Sequence, residues 1–188
     1  MSELAQVVSR IRSRLQDTDR SNYVWPTTLL EDFAGEAVRR LGPVVGVRKR
    51  VEVTNDGETY DLVTIFGSRP LEVEAVLIDY HMATGWRVYG NELLVGQLSV
   101  DAFEVRGVCA YQDVTELPAV LEDAVVLESC SKALDYLLRR GGRALERYLI
   151  DQGELEANEL RGLADYYHEE FLAYREEWAV GTMRGLDT

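Results

Sequence analysis

The chain has 188 residues, 46% of them apolar and 28% charged, with a formal net charge of −13. This is the profile of one soluble globular domain, or one domain with an appendage, and it lies well outside disordered composition. So acidic a balance excludes nucleic-acid binding as the main role, because neutralising phosphates takes a basic face.

In chain order, residues 3–42 read as a helix–turn–helix. Leu4, Val7, Val8, Ile11 and Leu15 recur at spacings of three and four, which puts one apolar stripe on a helix of about four turns. The polar run 16–22 ends it. Thr28 and Glu31 have the spacing of a capping box at the start of a second helix, with Trp25 stapling the entering chain. Leu29, Leu30, Phe33, Ala37, Val38 and Leu41 continue that helix, and Gly42-Pro43 stops it.

Residues 44–112 change period. Val47, Val51 and Val53, then Tyr60, Leu62, Val63 and Ile65, flank Thr54-Asn55-Asp56-Gly57-Glu58, a pattern that predicts an antiparallel hairpin. Leu71, Val73, Ala75 and Leu77 alternate as a further strand. Residues 86–89 and 92–95 flank Gly90-Asn91 as a second hairpin, and a last strand runs through Phe103, Val105, Val108 and Tyr111. Five or six such strands make a small antiparallel sheet or sandwich.

Residues 113–178 return to helix. A long helix from about Leu117 to Leu138 stops at Gly141-Gly142, and a short one carries Ala144, Leu145, Tyr148 and Leu149. Leu160, Leu163, Tyr167, Phe171, Tyr174 and Trp178 then form a heptad-like stripe with acidic flanks. Such a stripe packs within the chain or against a neighbouring copy, where large aromatics serve as anchors. The last stretch, 179–188, has no periodicity and is read as an extended tail. The expected fold is therefore α+β and mainly helical: an N-terminal helical pair (1–43), an antiparallel β insertion (44–112), and C-terminal helices packing on the first pair (113–178).

Charge is uneven along the chain: residues 1–50 carry +3 and the remainder −16. Such asymmetry suits head-to-tail assembly as well as a solvated acidic surface. Cys109 and Cys130 have no close-spaced partner and read as small buried residues in a reducing compartment. No apolar run approaches the ~20 residues needed to span a bilayer, and the opening MSELAQVV lacks a signal-peptide core, so an intracellular protein without membrane contact is expected.

No reaction centre is legible. His81 lies beside a strand end. Asp165 and His168, three apart on a helix, form at most part of a site. Neither a Gly-rich phosphate loop nor a GxSxG elbow occurs. No catalytic residue, metal or cofactor is expected. Arg10, Arg12 and Arg14, and Arg48-Lys49-Arg50, read as surface charges and interface salt bridges, with transient phosphate contact as a lesser reading.

Taken together, three stretches resemble the head–tail connector (adaptor) family of tailed bacteriophages. They are the step Tyr23-Val24-Trp25-Pro26-Thr27-Thr28-Leu29-Leu30 between two helices, the strands 86–95 and 103–111, and Asp113-Val114-Thr115-Glu116-Leu117-Pro118 leading into a long helix with small residues Ala124, Cys130 and Ala133. The resemblance implies a structural virion protein of the neck, assembled in the host cytoplasm. Its copies form a ring of about twelve below the portal, extend the DNA channel and dock head-closure (stopper) or tail proteins, while genomic DNA passes without sequence-specific binding. By analogy with relatives whose terminal segments reach the portal, Trp178, Met183, Arg184 and Leu186 are the candidate portal anchor. Arg10, Arg14, Trp25, Tyr167, Phe171 and Tyr174 are the candidate subunit interface. The alternatives are another neck or tail-completion protein, or a cytoplasmic regulatory module that dimerises through its aromatic C-terminal helix.

Overall fold

The structure is a computed structural model that describes residues 3–42, 45–153 and 155–179. It is α+β and mainly helical, with two compact units: one holds residues 3–40 and 112–178, the other residues 41–111.

The first unit is a helical bundle of α1 (Glu3–Arg14), α2 (Thr27–Leu41), α4 (Ala119–Arg140), α5 (Gly142–Asp151) and α6 (Ala157–Glu177), with a 3₁₀ turn at Val114–Glu116. Helix α4 is its axis. Ala124 to Ser131 are buried without a break, so this stretch has no solvated face and is packed from all sides. Its small residues Ala124, Cys130 and Ala133 let neighbouring helices approach. α1 and α6 lie against it, and α2 joins it through Phe33 on Tyr136 and the pair Lys132–Glu36. Helix α4 ends where the glycine pair requires: Gly141 takes φ +59 and its N–H returns to the Leu137 carbonyl at 3.0 Å.

The second unit is a two-sheet β structure. Strands β1 (Gly46–Thr54), β7 (Ala102–Ala110), β3 (Pro70–Ile78) and β4 (His81–Met82) form one antiparallel sheet in that order. The other consists of β2 (Thr59–Asp61), β6 (Glu92–Leu94) and β5 (Arg87–Tyr89). Tyr60, Leu62, Phe66, Val76, Leu93, Phe103 and Val105, drawn from both sheets and from α3 (Leu62–Phe66), share one apolar core. Strands β1 and β7 pair without interruption from Gly46↔Ala110 to Thr54↔Ala102, whereas the β3–β7 ladder shifts register twice. Gly107 sits where the backbone is crowded: a Cβ there would lie 2.7 Å from the Glu72 carbonyl oxygen and 2.9 Å from the Phe66 ring.

Two local expectations need correction. Residues 47–53 and 60–65 do not form a hairpin: β1 pairs with β7, β2 with β6, and residues 62–66 are helical. Asn55 is the cause. Its N–H donates to the Asp101 carbonyl at 2.8 Å and its side-chain amide to the carbonyls of Leu98 and Val100, which ties this corner to the approach of β7. Asp61 then caps α3, accepting from the N–H groups of Val63 and Thr64, so the strand pattern of Leu62, Val63 and Ile65 yields to a helical turn closed by Gly67 at φ +75. The second correction concerns α2. It starts at Thr27, with the Pro26 carbonyl accepting from Leu29 and Leu30, so Thr28 lies inside the first turn and does not cap it. A capping box occurs at α6 instead, where the Glu156 N–H donates to Glu159 Oε2 at 2.7 Å.

Candidate interaction surfaces

In the helical unit the expected subunit-interface residues divide. Trp25 is 1% exposed, its indole N–H donates to the Ala133 carbonyl at 3.0 Å, and its ring meets Tyr148 edge-on at 5.1 Å. Phe171 is also 1% exposed, and Tyr167 is buried beside it on α6. These three are core of the monomer and present nothing to a neighbour, which corrects the interface reading for each. The physical reason is their partners: α4 runs behind both segments and takes up the aromatic rings. Arg10 is held by Glu122 at 2.9 Å and by Asp123, and the Arg14 guanidinium lies 5.7 Å from the Tyr167 ring centroid. Both arginines therefore close α1 onto this chain's own α4 and α6. Tyr174 and Trp178 are half-buried. Met183, Arg184 and Leu186 lie outside the described residues.

Two polar constellations here escape a reading by spacing alone. Arg12, grouped by sequence with the surface basics, is buried against Asp17 at 2.5 Å. It also donates to the Trp25 carbonyl and to Thr27, with the Tyr23 ring 3.5 Å away. Asp17 in turn accepts from the Val24 N–H at 2.8 Å. The polar gap 16–22 is thus a latched loop. The second constellation centres on Glu128, whose buried carboxylate takes Arg40 on one oxygen and His168 Nδ1 at 2.8 Å on the other. His168 consequently turns to Glu128 and not to the exposed Asp165. Each of these groups is occupied by internal pairing.

The shifted groups are likewise structural. Burial pushes the Cys130 thiol up to about 12 and raises the Tyr148 and Tyr167 hydroxyls. Hydrogen bonds from Ser21, Thr64 and Thr115 hold Asp19, Asp61 and Asp113 below the usual carboxylate range, and Lys132 does the same for Glu36. Three of these carboxylates order a turn or a helix start and the fourth ties α2 to α4. Among the described residues, no group of three or more His, Cys, Asp or Glu side chains is placed to hold a metal ion, and no helix is long and apolar enough to cross a membrane.

The β unit differs in what it exposes. Strands β3 and β4 are joined by Asp79-Tyr80, with Ile78 opposite His81 across the turn. Both turn residues have positive φ, 47° and 67°, the backbone of a two-residue hairpin turn that favours Asn and Gly. Tyr80 is 90% exposed and Met82 66%. At the tip of the β5–β6 hairpin, where Gly90 takes φ +61 in the two-residue turn, Val88 and Tyr89 are exposed as well. The outer face of the larger sheet is divided by charge. Arg48, Arg50 and Arg106 lie towards one end, and Glu52 and Glu104, directly opposed across β1 and β7, towards the other. A shallow concavity at the acidic end is lined by Glu52, Asp79, Tyr80 and Glu104, and a second at the basic end by Arg48, Lys49, Arg50, Glu74 and Arg106, with Arg48 paired to Glu74 and Arg106 to Glu104.

No family model matches this chain, and neither does any curated protein. The functional reading accordingly rests on these surfaces and on the sequence resemblance.

Proposed function

We propose that the chain is a head-to-tail connector subunit of a tailed bacteriophage. It assembles with copies of itself into a ring below the portal, prolongs the DNA channel and offers a docking surface to head-closure or tail proteins. The observation that carries this reading is the exposure of large apolar side chains, Tyr80, Met82 and Tyr89, at hairpin turns, where other polypeptides reach them. The net charge of −13 supports the same role, since an acidic channel wall repels DNA and lets it pass without adhering. The segment from Trp178 through Met183, Arg184 and Leu186 serves as the portal anchor.

The dimeric regulatory alternative needs the aromatic stripe of α6 to face a partner. Tyr167 and Phe171 lie instead in this chain's own core, which leaves that alternative Tyr166, Tyr174 and Trp178 as the aromatics of α6 and its C-terminal end still open to a partner. The test is electron microscopy of the purified chain, alone and mixed with an isolated portal ring. The reading predicts annular particles and a collar added to the portal, with the collar lost when residues 179–188 are deleted. A particle that stays dimeric and ignores the portal refutes it.

A further inference from the structure

Within the β unit, we infer that the Asp79-Tyr80 hairpin tip of one copy docks into the basic end of the same sheet on a second copy, head to tail. The inference rests on the ring reading only in requiring that the chain associates with itself; it adds which surfaces meet.

Tyr80 is the starting point. A bulky residue at φ 67° stores strain, of which a glycine would be free, and at 90% exposure its ring gains almost nothing from this chain's core. A side chain held at a cost and presented to solvent is suited to a contact outside its own chain. Its setting specifies the kind of partner. Asp79 and Glu52 stand beside it, together with Glu104, which is itself paired with Arg106, so the complementary surface must carry cations around a place for an aromatic face. That surface exists on the same sheet. Arg48, Lys49, Arg50, Glu74 and Arg106 line the other concavity; Arg48 is paired with Glu74 and Arg106 with Glu104, while Lys49 and Arg50 form no ion pair among the described residues and are the cations left for a partner. An arginine over the Tyr80 ring and carboxylates beside the remaining cations would satisfy both surfaces at once.

The two surfaces do not meet within one molecule: Tyr80 is 90% exposed, in the turn beyond Ile78, while Arg50 and Arg106 lie level with Ala75, three residues or roughly 10 Å back along β3. Because the two surfaces differ, each copy keeps one free after the first contact, which is the property of an interface that propagates and closes into a ring.

Disulfide trapping tests this directly. His81→Cys combined with Glu74→Cys places one thiol beside each surface while Tyr80 and Arg50 are kept, and the native Cys109 and Cys130 are buried and do not compete. Oxidation of the concentrated double variant is expected to yield a ladder of dimers, trimers and higher species on a non-reducing gel. Each single variant should give dimers at most, and 1 M salt should abolish the ladder, since charges are then screened beyond ~3 Å. As a second variant, Tyr80→Gly relieves the turn, so its melting temperature should be unchanged or raised while self-association is lost. A double variant that stops at dimers overturns the inference in favour of a two-fold contact, and one that remains monomeric overturns it outright. If annular particles of the unmodified chain are seen by electron microscopy while the ladder is absent, the ring reading stands and the docking surfaces lie elsewhere. Absence of both removes the two together.

Discussion

Single residues in the helical unit are committed to holding it closed, and the buried Arg12–Asp17 pair is the sharpest case. Removing one partner leaves an uncompensated charge out of water, so Arg12→Ala should cost about 3–5 kcal/mol in denaturant unfolding. Replacing both by apolar residues of similar size, Arg12→Met with Asp17→Leu, should recover the part of that loss due to the unpaired charge, while the bonds to Val24, Trp25 and Thr27 stay unmade. Equal destabilisation by the single and double variants would show that those bonds, and not the uncompensated charge, carry the cost. Lys132 donates to Glu36 at 2.5 Å and holds the carboxyl below its ordinary 4.5. A depressed carboxylate contributes stability that is present above its unfolded value and lost as pH falls through the folded one. Glu36→Gln should therefore be less stable than the parent at pH 7, by no more than about 1 kcal/mol for so open a pair, with the difference shrinking once pH falls below 4.5. A difference that does not shrink on acidification contradicts this. The Cys130 thiol, pushed up to about 12, should resist a disulfide reagent at pH 8 until the chain unfolds. Sequence alone placed Arg12 with Arg10 and Arg14 because helical spacing carries no information on what lies across the fold. Asp17, Tyr23 and Trp25, all within thirteen positions, held the only local signal.

At the scale of elements, what was legible is what depends on neighbours in the chain. Period and punctuation marked α1, α4, α5, α6, β1, β3, β7 and the β5–β6 hairpin, because apolar stripes, alternation and glycine stops act within one element. Pairing was not legible. Asn55 and Asp61 turned an expected hairpin into a corner and a capped helix through bonds to residues about forty positions away and to the next turn. The aromatic stripe of α6 shows the same limit, since spacing identified the stripe but could not say that α4 covers it. The crossing at Gly107 tests the observed pairing. A Cβ there meets backbone at 2.7 Å, and backbone cannot yield as a side-chain end would. Gly107→Ala should cost about 1–3 kcal/mol, read as lost hydrogen-exchange protection in β3 and β7 with α4 amides unchanged. Full protection in that variant would mean that α3 and β3 do not press on β7 as described.

For the whole molecule, what matters is where exposed apolar and charged groups remain without a partner in the chain. The helical unit buries Trp25, Tyr148, Tyr167 and Phe171 and the Arg12–Asp17 pair but leaves Tyr166 and Ile150 exposed, and the β unit leaves the Tyr80 and Tyr89 hairpin turns and a sheet face bearing basic and acidic side chains. This arrangement supports the proposal that the chain is completed by other polypeptides. Sedimentation velocity over a wide concentration range at low salt tests that most directly. A ring-forming subunit should pass from monomer into one large closed species with no dimer plateau, and its assembly should weaken as salt is raised. A monomer–dimer equilibrium that saturates at the dimer and is indifferent to salt would contradict it.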